Sequence, residues 1–142
     1  SWTWAQTAEA VDEIAHGLVA LGFAPGERAS ILANTVVEWV LADLAVLSAG
    51  GVSSGIYPTD AASQVQFLCD DSKSALLFVE DDEQLDKALE VRERIPSLRK
   101  IVVFDMEGLH DLQDDGVISL AALRELARAH RQRTPGAVKA SA

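Results

Sequence analysis

Glycine-rich turns let backbone amides cradle phosphate oxygens, so nucleotide chemistry is sought first in Gly50-Gly51-Val52-Ser53-Ser54-Gly55. A Walker-type loop needs Lys and then Ser or Thr directly after its last glycine, between a strand and a helix. Ile56 and Tyr57 follow instead, and the flanking patterns run from helix to strand. The segment reads as a helix stop leading into a strand of small residues. A second candidate is Asp111, Gln113, Asp115 and Gly116, which match the first half of a calcium loop. The twelfth loop position should be a bidentate glutamate and is Ala122, so a solvated acidic loop is expected. His110 adjoins these acids, but no second His or Cys stands at ligand spacing, and no metal site is assigned.

The other reactive side chains are isolated. His16 and His130 fall within helical patterns, no Ser or Cys pairs with either as nucleophile and base, and both are expected on helix surfaces. Arg124, Arg128 and Arg131 share one helical face, where they would grip phosphate or lipid headgroups or simply form a solvated basic face near a helix C-terminus; the second is expected. Trp39, in the first turn of its helix, is expected to anchor that helix on a neighbour. No catalytic residue is assigned on these grounds.

The elements that would position such residues are legible. Thr3 and Gln6 form a capping box, after which Trp4, Ala8, Val11, Ile14, Ala15, Leu18 and Leu21 keep helical spacing up to Gly22. Beyond the Pro25-Gly26 turn, residues 28–33 are of strand length, and Thr35 with Glu38 starts a second helix ending near Ala49. Val52 to Ile56 is the next strand. Asp60 is placed as the cap of a helix carrying Val65, Leu68 and Cys69, and Ala75 to Val79 is a continuous apolar strand. Acidic residues 80–83 sit at the positive end of a helix presenting Leu85, Ala88, Leu89 and Ile95, which Pro96 halts. Ile101 to Phe104 is a strand, Asp105 to Gly116 a polar loop, and Ser119 caps a last helix with Leu120, Leu123 and Ala127 inward. Strands apolar on both faces, alternating with helices, predict an α/β fold: a mostly parallel sheet of about four strands with helices on both faces. Residues 1–133 form this partial α/β subdomain, and 134–142 a linker-like tail.

Composition narrows the classes. The 142 residues are 49% hydrophobic, enough for a buried core, and a net charge of −10 disfavours nucleic acid as a partner. The single Cys69 cannot form an internal disulfide and suits a reducing, cytoplasmic setting. The segment from Trp39 to Gly51 is broken by Asp43 and Ser48 and falls short of the roughly 18 apolar residues of a membrane span. The opening Ser1-Trp2-Thr3-Trp4 has no initiator methionine and no signal-peptide pattern, so the chain reads as a fragment.

Several stretches together carry a resemblance: Thr3-Trp4 with the helix ending Gly17-Leu18-Val19-Ala20-Leu21-Gly22, Pro25-Gly26-Glu27-Arg28, Ile31 to Asn34, Glu38 to Ala45, Ala49-Gly50, and Ile56-Tyr57-Pro58-Thr59. Their order and spacing resemble the start of acyl-CoA synthetases of the adenylate-forming superfamily, over the chain to about Phe104. Ile-Tyr-Pro-Thr looks most like the long-chain fatty acyl branch, with Gly55 where that branch usually carries proline. The resemblance implies a whole enzyme that uses ATP, Mg2+ and CoA to turn a fatty acid into acyl-CoA, releasing AMP and pyrophosphate. It implies a cytoplasmic protein, peripheral to the membrane at most. The family's phosphate loop and catalytic lysine lie downstream of such a region, so the isolated chain is expected to be inactive and to bind no cofactor. Tyr57 and Thr59 are the candidates for lining the substrate channel. The expected partners are the remainder of the parent enzyme or, through apolar surface left uncovered, another copy of the chain. An aryl-CoA ligase, a peptide-synthetase adenylation domain, or a non-catalytic doubly wound module of receiver or flavodoxin type are the alternatives. Against the last, the first strand ends Leu32-Ala33-Asn34 without the acidic pocket of a phosphoacceptor.

Overall fold

The computed structural model describes residues 3–34, 37–106, 109 and 114–133, with side chains through 129. Helix α1, Trp4–Ala20, starts on the expected capping box: Thr3 Oγ1 accepts from Gln6 N at 3.1 Å, and Gln6 Oε1 accepts from Thr3 N at 3.0 Å. Strand β1 (Arg28–Leu32) and helix α2 (Val37–Ser48) follow. Gly50, at φ +84°, then turns the chain into β2 (Val52–Ile56). The remaining order is α3 (Ala62–Ser72), β3 (Leu76–Val79), α4 (Asp82–Val91), β4 (Lys100–Val103), β5 (Val117–Ser119) and α5 (Leu120–Arg133).

The strands form one sheet in the order β2-β1-β3-β4-β5, and every pairing is parallel. Alternation along the strands divides the core. Ile31, Leu76, Phe78 and Val102 pack under α1, α2 and α5, while Leu32, Leu77, Val79, Ile101 and Val103 pack under α3 and α4. Trp39 is half-buried against the first of these cores, in the anchoring role expected of it.

The structure corrects four details of the sequence reading. The sheet has a fifth strand, β5, in register with β4 from Ile101↔Val117; three half-buried residues are too few to carry a pattern. The cap position of α3 is Ala61 rather than Asp60, and no side chain bonds there; Asp60 N instead closes a turn on Tyr57 O at 3.0 Å. Helix α4 ends at Val91, and Ile95 reaches the core from beyond a 3-10 turn, Arg92–Arg94. His16 is buried, not superficial, with Nε2 at 3.6 Å from Asp12 Oδ2. Ser119 caps α5 as expected, accepting from Ala122 N at 3.0 Å. The Thr35 cap, His110, Asp111, Gln113, the side chains of His130 and Arg131, and the tail 134–142 lie outside the described residues.

Candidate functional site

In an open parallel sheet, ligands bind beyond the carboxyl ends of the strands, where successive connections leave over opposite faces. Here that place lies between β1 and β3. From β1 the chain crosses through α2, on the α1 and α5 face, to the edge strand β2; it returns through α3, on the other face, to β3. Beyond these strand ends is a crevice of about 300 Å3 lined by Glu38, Glu80, Phe104 and Asp105.

Local structure explains how these residues converge. Asn34 follows β1 and Glu80 follows β3; Glu80 Oε1 accepts from Asn34 N at 2.7 Å and from Asn34 Nδ2 at 3.0 Å, tying the two strand ends together. Asp105 N donates to Glu80 O at 2.9 Å, which sets Asp105 beside it beyond β4. Glu38 enters from the first turn of α2, where a carboxylate is favoured by the helix dipole. The end of the first strand is therefore acidic after all, because carboxylates arrive from α2, β3 and β4 rather than from β1 itself.

The crevice repels anions. Among the described residues three carboxylates and no cation line it, so this lining does not fit a nucleoside triphosphate, and no catalytic step is derived from it. Among the described residues no group of three His, Cys, Asp or Glu is arranged to hold a metal ion. Tyr57 and Thr59 lie just past β2, at the same end of the sheet. Both are exposed, Tyr57 at 76%, but β1 separates them from the crevice, and they do not line it. Their loop is held from α4, where Lys87 Nζ donates to Pro58 O at 2.7 Å and to Asp60 O at 2.9 Å.

Several cations elsewhere are engaged. Arg124 and Arg128 do not form a solvated face: they clamp Glu13 of α1, which is 3% exposed. Glu13 Oε1 accepts from Arg124 Nε at 3.0 Å and from its terminal nitrogen at 2.6 Å, and Oε2 accepts from Arg128 Nε at 2.8 Å. Burial pushes the Glu13 carboxyl up, but the bonds and charges of Arg124 and then Arg128 outweigh it and hold the group below the usual carboxylate range. At the amino end of the sheet Arg99 pairs with Glu27 at 2.6 Å, and Arg92 with Asp114 at 2.7 Å. The Cys69 thiol is buried between α3 and the sheet, and burial raises its pKa to about 11 despite a bond with the Ser30 hydroxyl.

Neither the Glu13 clamp nor the crevice is legible in the sequence, because their members lie far apart along it; the arginine spacing on α5 is the hint it offers.

Comparison with known proteins assigns this sheet. The family profile described as AMP-binding enzyme matches residues 1–135. Over 104 residues the chain is 36% identical to the long-chain-fatty-acid–CoA ligase FadD15 of Mycobacterium tuberculosis, covering 71% of this chain and 17% of that protein. It is 31% identical over 105 residues to the long-chain-fatty-acid–CoA ligase ACSBG2 of Mus musculus, covering 73% of this chain and 16% of that one. Among solved structures, acetoacetyl-CoA synthetase from Streptomyces lividans superposes with a TM-score of 0.76 at 27% identity, over 86% of this chain and 20% of its own. The anthranilate CoA ligase AuaEII superposes at 0.74 with 22% identity, over 84% of this chain and 22% of its own, which speaks to the fold alone. The chain thus spans about a fifth or less of the length of these relatives. The strand order is equally that of a flavodoxin-like module, so topology alone does not separate the two readings. The family match, which takes in the whole sheet, does, and this chain belongs to the AMP-binding enzyme family.

Proposed function

We propose that this chain is the amino-terminal part of an ATP-dependent acyl-CoA synthetase acting on long-chain fatty acids. The observation that carries the reading is the 36% identity over 104 residues to a long-chain-fatty-acid–CoA ligase. In the reaction proposed for the whole protein, a carboxylate attacks the α-phosphorus of ATP to give an acyl-adenylate and pyrophosphate. The thiolate of CoA then displaces AMP. Carboxylate oxygen is a poor leaving group and AMP a good one, which is why adenylation precedes thioester formation. Divalent magnesium would balance charge on the transferring phosphoryl group.

On this reading the described residues serve as scaffold, and Tyr57 and Thr59 flank the acyl channel of the whole protein. The 27% identity to an acetoacetyl-CoA synthetase over 86% of the chain supports a second reading, the same chemistry on a short acid. The test is to express the complete polypeptide encoded by the parent gene and measure thioester formation from ATP, CoA and a panel of acetoacetate, anthranilate and palmitate. Palmitoyl-CoA as the preferred product supports the first reading. Preference for acetoacetate replaces it with the second, and no thioester from any acid refutes both.

A further inference from the structure

The loop between β2 and α3 is held from one side. Lys87 Nζ of α4 donates to Pro58 O at 2.7 Å and to Asp60 O at 2.9 Å. Asp60 N closes the turn on Tyr57 O, and Ala61 stands at the cap of α3 without a side-chain bond. Among the described residues nothing else from outside the loop bonds to residues 58–60. Lys87 is half-buried, and no carboxylate of the described residues pairs with it. Its ammonium therefore serves these two carbonyls alone, and bonds from a charged donor are stronger than those between neutral groups. The loop alternates as a result. Pro58 and Asp60, whose carbonyls are held, are half-buried, whereas Tyr57 and Thr59, interleaved with them, are exposed.

We propose that Lys87 is a positioning residue for the acyl substrate: by pinning two alternate carbonyls it sets Tyr57 and Thr59 against the methylene chain of a long fatty acid. This rests on the reading of the chain as part of a long-chain acyl-CoA synthetase. A tyrosine ring has an apolar body and a polar tip, so an exposed one suits a wall that is apolar along the chain and wet at its edge. A loop free to move would be ordered anew by each substrate, and Lys87 removes that cost before binding. What the loop offers is contact with methylene groups. Its contribution therefore grows with chain length, by a nearly constant increment for each CH2 taken from water. The carboxylate, ATP and CoA gain nothing from it.

The complete polypeptide encoded by the parent gene, as wild type, Lys87→Met and Lys87→Arg, is assayed for thioester formation from octanoate and palmitate. Lys87→Met keeps the aliphatic stem and loses the ammonium. It raises KM for palmitate about tenfold and for octanoate less, while kcat and the KM of ATP and CoA stay unchanged, the pattern of lost ground-state binding. Lys87→Arg, which can also donate twice, brings the palmitate KM back to within about twofold of wild type. Added to Tyr57→Ala, Lys87→Met has little further effect, because it acts through that loop. In the present chain Lys87→Met speeds amide hydrogen exchange at Asp60 about tenfold as the turn is released. Circular dichroism checks folding, and if Lys87→Met does not fold, Lys87→Gln is the substitute and must show the same pattern. An unchanged palmitate KM in an active variant, or a kcat that falls equally for both acids with KM unmoved, overturns the proposal and leaves the reading of the reaction standing. So does failure of both variants to fold, which makes Lys87 structural. A wild type that forms no palmitoyl-CoA removes that reading and the proposal with it.

Discussion

Glu13→Gln is the sharpest test of how α1 and α5 are held together. The carboxylate is 3% exposed and takes three hydrogen bonds from two arginines on α5, so the amide keeps the shape but loses the charge. Breaking a fully buried pair by removing one partner costs about 3 to 5 kcal/mol, whereas an exposed pair contributes about 1 kcal/mol or less. Arg124 is 29% exposed and Arg128 57%, which places the clamp between these limits. A loss of about 2 kcal/mol is expected near neutral pH, or a fall of roughly 8 °C in melting temperature for a domain of this size. The sign of the pH dependence follows from the depressed carboxyl. Its stabilisation is fully present above the unfolded glutamate value and is lost as pH falls through the lower folded value. Wild type and Glu13→Gln should therefore differ most at pH 7 and converge in acid. Urea denaturation followed by circular dichroism measures both curves. In a double-mutant cycle Arg124→Met should couple to Glu13 more strongly than Arg128→Met, since Arg124 donates twice and is less exposed. A difference under about 0.5 kcal/mol at pH 7, or one that grows in acid, refutes the reasoning.

Three further outcomes are expected. Gly17→Ala should destabilise the chain by about 1 to 3 kcal/mol in the same urea assay, because a Cβ there would lie 2.7 Å from the Leu123 carbonyl of α5; this outweighs the ~1 kcal/mol that alanine gains in helix propensity. A stabilised variant would show that the two helices do not cross so closely. Cys69, buried and with a pKa near 11, should resist iodoacetamide at pH 8 in the native state and react readily in urea; rapid native labelling, followed by mass spectrometry, would contradict the packing under α3. The chain alone should neither bind Mg-ATP in calorimetry nor catalyse pyrophosphate exchange, since the crevice at the strand ends is lined by carboxylates, and micromolar binding would overturn that account.

What the sequence determined by itself is local or periodic. The Thr3–Gln6 box sets the start of α1 because both partners lie within one helical turn. The unbroken apolar runs in β3 and β4 require cover on both faces of a sheet, and the parallel pairing follows from the helices between the strands. Short or unpatterned pieces escaped. Three half-buried residues of β5 carry no period, and Ala61 occupies a cap position without offering a side-chain acceptor. Tertiary structure alone decided the polar arrangements. Glu13 and Arg124 stand 111 positions apart, and only the packing of α5 on α1 converts Arg124 and Arg128 from an expected solvated face into a clamp on a buried carboxylate. Likewise the acidic crevice exists because the strand order sets β3 beside β1, gathering Glu38, Glu80 and Asp105 at one end of the sheet. Hydrophobic periodicity specifies which face of an element is buried, but it says nothing of which element lies opposite; a charge finds its partner only once the layers are assembled.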